Sequence, residues 1–228
     1  MVFVPYRDPR ATRRAPLDRA QVVRAALALV DEVGLDELTM RRLAERLGIQ
    51  AASLYKHVKD KDELLVLLAD EISAGIADPP SSGTWQSRLA ALARNARRGL
   101  RAHRDGARVL AATAPFGPRR LARIETVLAL LRGAGLSRRD AVHAAHHLNK
   151  FLTEFVADED RYASAAAAAG SRRKMFAEVR ALFRSLPPER YPVLVELADD
   201  LAEDDPDDLF EFGIAAWIRA LEPLARRR

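Results

Sequence analysis

The sequence predicts an all-α protein with a small N-terminal head and a larger helical body. Three observations carry that expectation. Apolar residues recur three and four positions apart along most of the chain, the spacing of one helix face. Alanine and leucine dominate, aromatics are only 6% of residues and alternating β-branched runs are missing, a composition that favours helix over strand. Breaker clusters such as Asp78-Pro79-Pro80-Ser81-Ser82-Gly83 and Pro115-Phe116-Gly117-Pro118 cut the periodic stretches into helix-sized lengths.

Size and charge set the outer limits. The chain has 228 residues, 49% of them hydrophobic, enough for a head and a second, larger core. It has no cysteine, which excludes a disulfide scaffold, a thiolate nucleophile and a zinc–thiolate site. There is no signal-peptide pattern, and no run nears the roughly 18 apolar residues of a membrane span. A soluble, cytoplasmic protein without a membrane partner or a cofactor is expected. The net charge of +5 fits a polyanionic partner without proving one.

Taken in order, residues 1–16 carry Arg7, Arg10, Arg13 and Arg14 with two prolines and no apolar period, and read as a disordered basic arm. Such an arm either adds phosphate or minor-groove contacts or is a loose tail. Asp18 can cap a helix to about Val33, with Val22, Val23, Ala26, Leu27, Leu29 and Val30 on its apolar face and Gly34 closing it. Thr39 caps a second helix bearing Leu43, Ala44 and Leu47, ended by Gly48. A short helix over about 51–57 follows at once, and Asp60 caps a longer one to about Ala77. Beyond Gly83, helices are predicted over 84–101, 105–112, 119–132 and, capped by Ser137, to about Asp158. Tyr162 to Arg173, with its alanine run, reads as a poorly specified connection. Further helices are expected over 172–186, 192–201 and 209–225, the last following the acidic run 203–208.

Helix, glycine turn, short helix is the helix-turn-helix pattern, whose second helix lies in the DNA major groove. On the short helix, Leu54 and Val58 are spaced to pack inward, leaving Gln50, Ser53, Tyr55, Lys56 and His57 to face a duplex. Ala51 and Ala52 keep its leading end slim. Arg41, Arg42, Lys59 and Lys61 flank it as phosphate partners. The plain alternative for the same pattern is a small helical bundle with a solvated charged face.

The framework Leu38-Thr39, Leu43-Ala44, Leu47-Gly48-Ile49, Leu54-Tyr55, His57-Val58, Lys61 and Leu64-Leu65 resembles the DNA-binding region of the tetracycline-repressor (TetR) family of bacterial transcription regulators, over about residues 17–77. The resemblance implies a three-helix helix-turn-helix DNA-binding head at 17–62, a linking helix and loop at 63–83, and a ligand-binding and dimerisation domain at 84–228. The DNA-contacting set it supports is Thr39, Arg41, Gln50, Ala51, Ala52, Ser53, Tyr55, Lys56, His57 and Lys61.

A second stretch is similar to the ligand-binding domain of the tetracycline repressors. Trp85-Gln86, His103-Arg104-Asp105-Gly106-Ala107-Arg108-Val109, Thr113, Pro115 and Phe151 match it in order. There are departures. Leu110 stands where those repressors place a metal-coordinating histidine, Leu92 replaces an asparagine, Val127 a glutamine and Ala114 an arginine. Leucine offers no donor to a hard cation, so the expected ligand is not a magnesium–tetracycline chelate. The implied pocket is mostly apolar, lined by Leu92, Ala96, Leu110, Thr113, Pro115, Ile124, Val127, Leu128, Val142, Ala145 and Asn149. Thr113 and Asn149 are its few hydrogen-bonding groups, which suits a hydrophobic or aromatic small molecule.

The functional expectation is a homodimeric repressor released from a palindromic double-stranded operator by that effector. The alternative is a dimeric DNA-binding helical protein with no effector. Phe210, Trp217, Ile218 and Leu221 on the last helix are the expected interface residues. Other motifs weigh little. His103-Arg104-Asp105 echoes a kinase catalytic loop but lacks the accompanying motifs. His143, His146 and His147 sit at helical spacing and His143 shares a face with His147, but no third ligand joins that pair; Glu154 with Asp158 reads as a solvated face. No metal site and no catalytic constellation is expected.

Overall fold

The computed structural model describes residues 17–202 and 205–225. Eleven α-helices and one 3₁₀ turn make up these residues. The expected basic arm and part of the acidic run lie outside them. Helix starts follow local chemistry. Asp18 caps α1 (Arg19–Val33) by a reciprocal capping box with Gln21, and Thr39 caps α2 (Met40–Leu47) by accepting from the Arg42 N–H at 3.1 Å. Asp60 caps α4 (Lys61–Ala74), Thr84 caps α5 (Trp85–Arg101) and Ser137 caps α8 (Arg138–Ala168). Each side-chain oxygen satisfies an N–H that has no partner inside its helix.

Three expected helices have different lengths. α3 (Ala51–Leu54) is a single α-turn. The chain beyond it stays coiled but tighter, because Lys56 and His57 donate to carbonyls three residues back rather than four. α8 runs ten residues past the expected end, to Ala168. The alanine run has the highest helix propensity and no breaker, so the helix persists until Gly170, at φ +87°. α10 (Pro192–Glu196) is shorter than expected and passes into a 3₁₀ turn at Asp200–Ala202.

Two apolar cores organise the molecule. The first joins α1, α2, α3 and α4 through Val22, Leu38, Leu43, Leu54, Leu64 and Leu68. It continues into the body through Leu100, Val109 and Leu110, which include two residues of α6 (Gly106–Ala111). The second packs α5, α7 (Pro118–Gly133), α8 and α11 (Pro206–Ala225) around Leu89, Leu131, Leu148, Phe210 and Ile214. α9 (Arg172–Arg184) packs against α8, and α10 against α9. Phe210, Ile218 and Leu221, expected at a subunit interface, are buried within their own chain. The same helix exposes Leu209 and Phe212 instead, the latter 67% exposed.

Arg97 fastens the second core. Its guanidinium forms a bidentate pair with Glu159, at 3.0 and 2.5 Å, and reaches Asp207 at 2.8 Å. It also lies over the rings of Phe155 and Phe210. One side chain of α5 therefore holds α8 and α11 together.

Candidate functional site

The exposed edge of the head is built by α2, a glycine turn and α3. Gly48 adopts a left-handed φ of +65°, which glycine reaches without a Cβ clash, and it turns the chain sharply into α3. Leu54 and Val58 are buried, so the opposite face of the turn looks outward. Gln50, Ala51, Ala52 and Lys56 are exposed, Tyr55 is 52% exposed, and Ser53, His57 and Lys61 are half-buried. These expected contact residues all keep part of their surface open to solvent. Thr39 sits at the start of α2, its hydroxyl accepting from the Arg42 N–H as the cap. Arg41 is exposed beside Glu45, 2.9 Å away, while Arg42 pairs with Glu37 and Arg46 with Glu32.

The head meets the body at a polar junction. The Asp31 carboxylate accepts from the Arg104 N–H at 3.0 Å and lies 3.1 Å from His103 Nδ1. Asp105, at φ +56°, accepts from the Leu35 N–H at 2.8 Å and from Arg108 at 2.9 Å. Arg108 also reaches Asp36 at 2.8 Å and, by that hydrogen bond and its charge, holds the Asp36 carboxyl below its usual range. The His103-Arg104-Asp105 run is thus a clasp for the corner between α1 and α2.

Within the body, α4 through α8 line a solvent-open cavity of about 450 Å³, in which Val142 is 57% exposed. All eleven positions expected to line a pocket do line it: Leu92 and Ala96 from α5, Leu110 from α6, Thr113 and Pro115 from the following loop, Ile124, Val127 and Leu128 from α7, and Val142, Ala145 and Asn149 from α8. The expectation that Thr113 and Asn149 are nearly its only polar groups does not hold. Ser73, Arg120, Arg123, His146, Lys150 and Thr153 line it too. The Thr113 hydroxyl is already engaged, donating toward Val109 O at 3.1 Å and accepting from Arg120 at 2.6 Å.

One helix touches both places. The N-terminal half of α4 is in the head core through Leu64 and Leu68, while Ser73, near its C-terminal end, and Ile76 just beyond line the cavity. Between them, buried Asp70 accepts from the backbone N–H groups of Arg119 and Arg120 at 2.9 and 3.0 Å. An aspartate of α4 thereby caps α7, whose own preceding residue, Gly117, has no side chain to do so. A Cβ at Gly117 would fall on the Asp70 carboxylate.

The family model described as "Bacterial regulatory proteins, tetR family" matches residues 22–68. That described as "Tetracyclin repressor-like, C-terminal domain" matches residues 78–224. The chain belongs to the TetR family. Among its TetR relatives, the tetracycline repressor protein class A from transposon 1721 of Escherichia coli is 37% identical over 213 residues, covering 91% of this chain and 90% of that one. The HTH-type transcriptional repressor DrrR1 of Streptomyces coeruleorubidus is 32% identical over 228 residues, covering 98% of this chain and 83% of the relative. The structure of the Streptomyces coelicolor TetR family protein ActR in complex with actinorhodin matches with a TM-score of 0.84 at 34% identity, over 93% of this chain and all of that one.

As a TetR regulator the chain is a DNA-binding transcription factor, with its helix-turn-helix at α2 and α3. The sequence did hold a signal for the overlooked Arg120. It lies four and seven residues before Ile124 and Val127, so helical spacing alone puts it on the face of α7 that bears them. Nothing local in the sequence marks Ser73 or Ile76 as cavity residues; only the packing of α4 against α7 brings them there.

Proposed function

We propose that this TetR-family chain is a homodimeric repressor that holds a near-palindromic operator until a hydrophobic or aromatic small molecule fills the cavity. The observation that carries this reading is α4, shared between the head core and the cavity wall. An effector shifts a population only through its differential affinity for two conformers. A helix packed at one end against α2 and α3 and at the other against the ligand space can couple the two. Two heads reading two half-sites make a dimer with a two-fold operator the economical arrangement. The exposed Leu209 and Phe212 of α11 are the apolar residues available to a second subunit.

ActR supports the effector reading, since a similar chain holds actinorhodin. Leu110 presents hydrocarbon to the cavity, so the effector is not held as a magnesium chelate. On the head, Gln50, Ser53, Tyr55 and His57 read bases, while Arg41, Lys56 and Lys61 meet phosphates. The test is fluorescence anisotropy on DNA flanking the gene. A saturable fragment that resists non-specific competitor, bound at two chains per site and released by a compound that stabilises the protein, is expected. Binding that is salt-sensitive and sequence-blind, or a single chain in light scattering at micromolar concentration, would overturn the proposal.

A further inference from the structure

Arg120, Arg123 and Lys150 line the cavity together with His146, and among the described residues neither an aspartate nor a glutamate does. Arg123 is answered by Asp78 at 2.8 Å, and Lys150 is exposed to solvent. Arg120 has neither outlet. It is 8% exposed, and among the described residues its guanidinium meets only backbone carbonyls and a hydroxyl. The nearby Asp70 directs Oδ1 at backbone N–H groups. Burial pushes the Arg120 pKa down despite the Asp70 charge, a sign that its surroundings leave the cation short of compensation.

Donor geometry narrows the matter further. Nη1 donates to the Thr113 carbonyl at 3.1 Å and its hydroxyl at 2.6 Å, and Nη2 donates to the Leu110 carbonyl at 2.8 Å. Those carbonyls lie at the C-terminal end of α6, where helix carbonyls lack partners, so they hold the side chain in place without neutralising it. A guanidinium carries five N–H bonds in a rigid fork. Nε–H and one N–H of Nη2 therefore have no acceptor among the described residues. The Nε and Nη2 donors lie along one edge of the fork, the edge suited to the two oxygens of a carboxylate.

We propose that the effector is an organic acid, with an apolar, ring-sized body against Leu92, Ala96, Val127 and Leu128 and one carboxylate on the Nε–Nη2 edge of Arg120. This rests on reading the cavity as the effector site and adds the charge of the ligand to it. A neutral molecule of the same shape would cover these donors, now open to water, without giving them a charged acceptor. A cationic one would meet like charge from Arg120, Arg123 and Lys150.

The test uses the full-length protein and a matched pair of probes. N-phenyl-1-naphthylamine, neutral and fluorescent in apolar surroundings, reports occupancy, and 2-naphthaleneacetic acid is compared with 2-naphthaleneacetamide as its displacer. The acid should displace it at about one-tenth the concentration of the amide or less, the scale of hydrogen bonds to a charged group. Arg120→Gln keeps a donor for the α6 carbonyls but no charge, and should bring the acid to the level of the amide. Arg119→Gln, which removes an exposed neighbouring charge outside the cavity, should leave the ratio as in wild type. If Arg120→Gln does not fold, Arg120→Lys carries the test, since a point charge cannot present the paired edge and the ratio should fall several-fold. Equal displacement by acid and amide on the wild-type protein, or a ratio that survives the Arg120 substitution, overturns the proposal and leaves an apolar binding cavity. If none of the three compounds binds the wild-type protein, the effector-site reading falls as well.

Discussion

Asp70 ties the helix that carries the DNA-reading head to the helix that walls the cavity, and removing its carboxylate should be costly. It is 9% exposed and accepts from the Arg119 and Arg120 N–H groups at 2.9 and 3.0 Å. Asp70→Ala leaves both donors without an acceptor at the start of α7. Losing an N-cap acceptor costs about 0.5–2 kcal/mol, and losing a hydrogen bond to a charged group about 1.5–3 kcal/mol. The carboxylate's own burial penalty disappears at the same time. The net expectation is a loss of about 2–3 kcal/mol for Asp70→Ala. Asp70→Asn should lose only about 1 kcal/mol, because an amide oxygen still accepts. Urea denaturation followed by circular dichroism, at one fixed protein concentration, measures both. An Asp70→Ala variant within about 0.5 kcal/mol of wild type, the range of ordinary surface substitutions, would refute the capping argument. So would an asparagine variant as unstable as the alanine one.

Other consequences are as concrete. Arg97→Ala leaves the half-buried Glu159 carboxylate with Arg101 alone, 3.5 Å away, and should destabilise by about 2–3 kcal/mol in the same assay, the scale of lost hydrogen bonds to a charged group; an effect below that of Asp70→Asn would show that the pair is dispensable. Asp160 has its carboxyl pKa raised by burial, and further by Asp105 and Glu159. A folded-state pKa above the unfolded one makes the ionised group a penalty, present above the folded value and removed as pH falls through it. Asp160→Asn should therefore raise the melting temperature at neutral pH, with the gain shrinking as the pH drops into the carboxylate range, and a gain independent of pH would contradict the assignment. Lys61→Ala should weaken binding to all sequences alike and lower the salt slope of DNA affinity by about one, whereas Gln50→Ala should cost about 1–3 kcal/mol on the operator alone. Anisotropy titrations at several salt concentrations separate the two.

What was legible in the chain is what short-range chemistry controls. Asp18, Thr39, Asp60, Thr84 and Ser137 each cap the helix their spacing announced, because a cap is a bond between residues three apart and needs no tertiary partner. The helix-turn-helix was readable for the same reason: Gly48 and the buried pair Leu54 and Val58 define it locally. The eleven positions expected to line a pocket converge on one cavity. Tertiary structure alone decided the rest. It turned Phe210, Ile218 and Leu221 into their own subunit's core, since an apolar face does not say which neighbour will cover it. It set Asp70 of α4 on the N-terminus of α7, and it placed Arg120 at a cavity whose described lining holds no aspartate or glutamate. Burial and charge compensation depend on residues distant in the chain, and no local pattern of side chains records them.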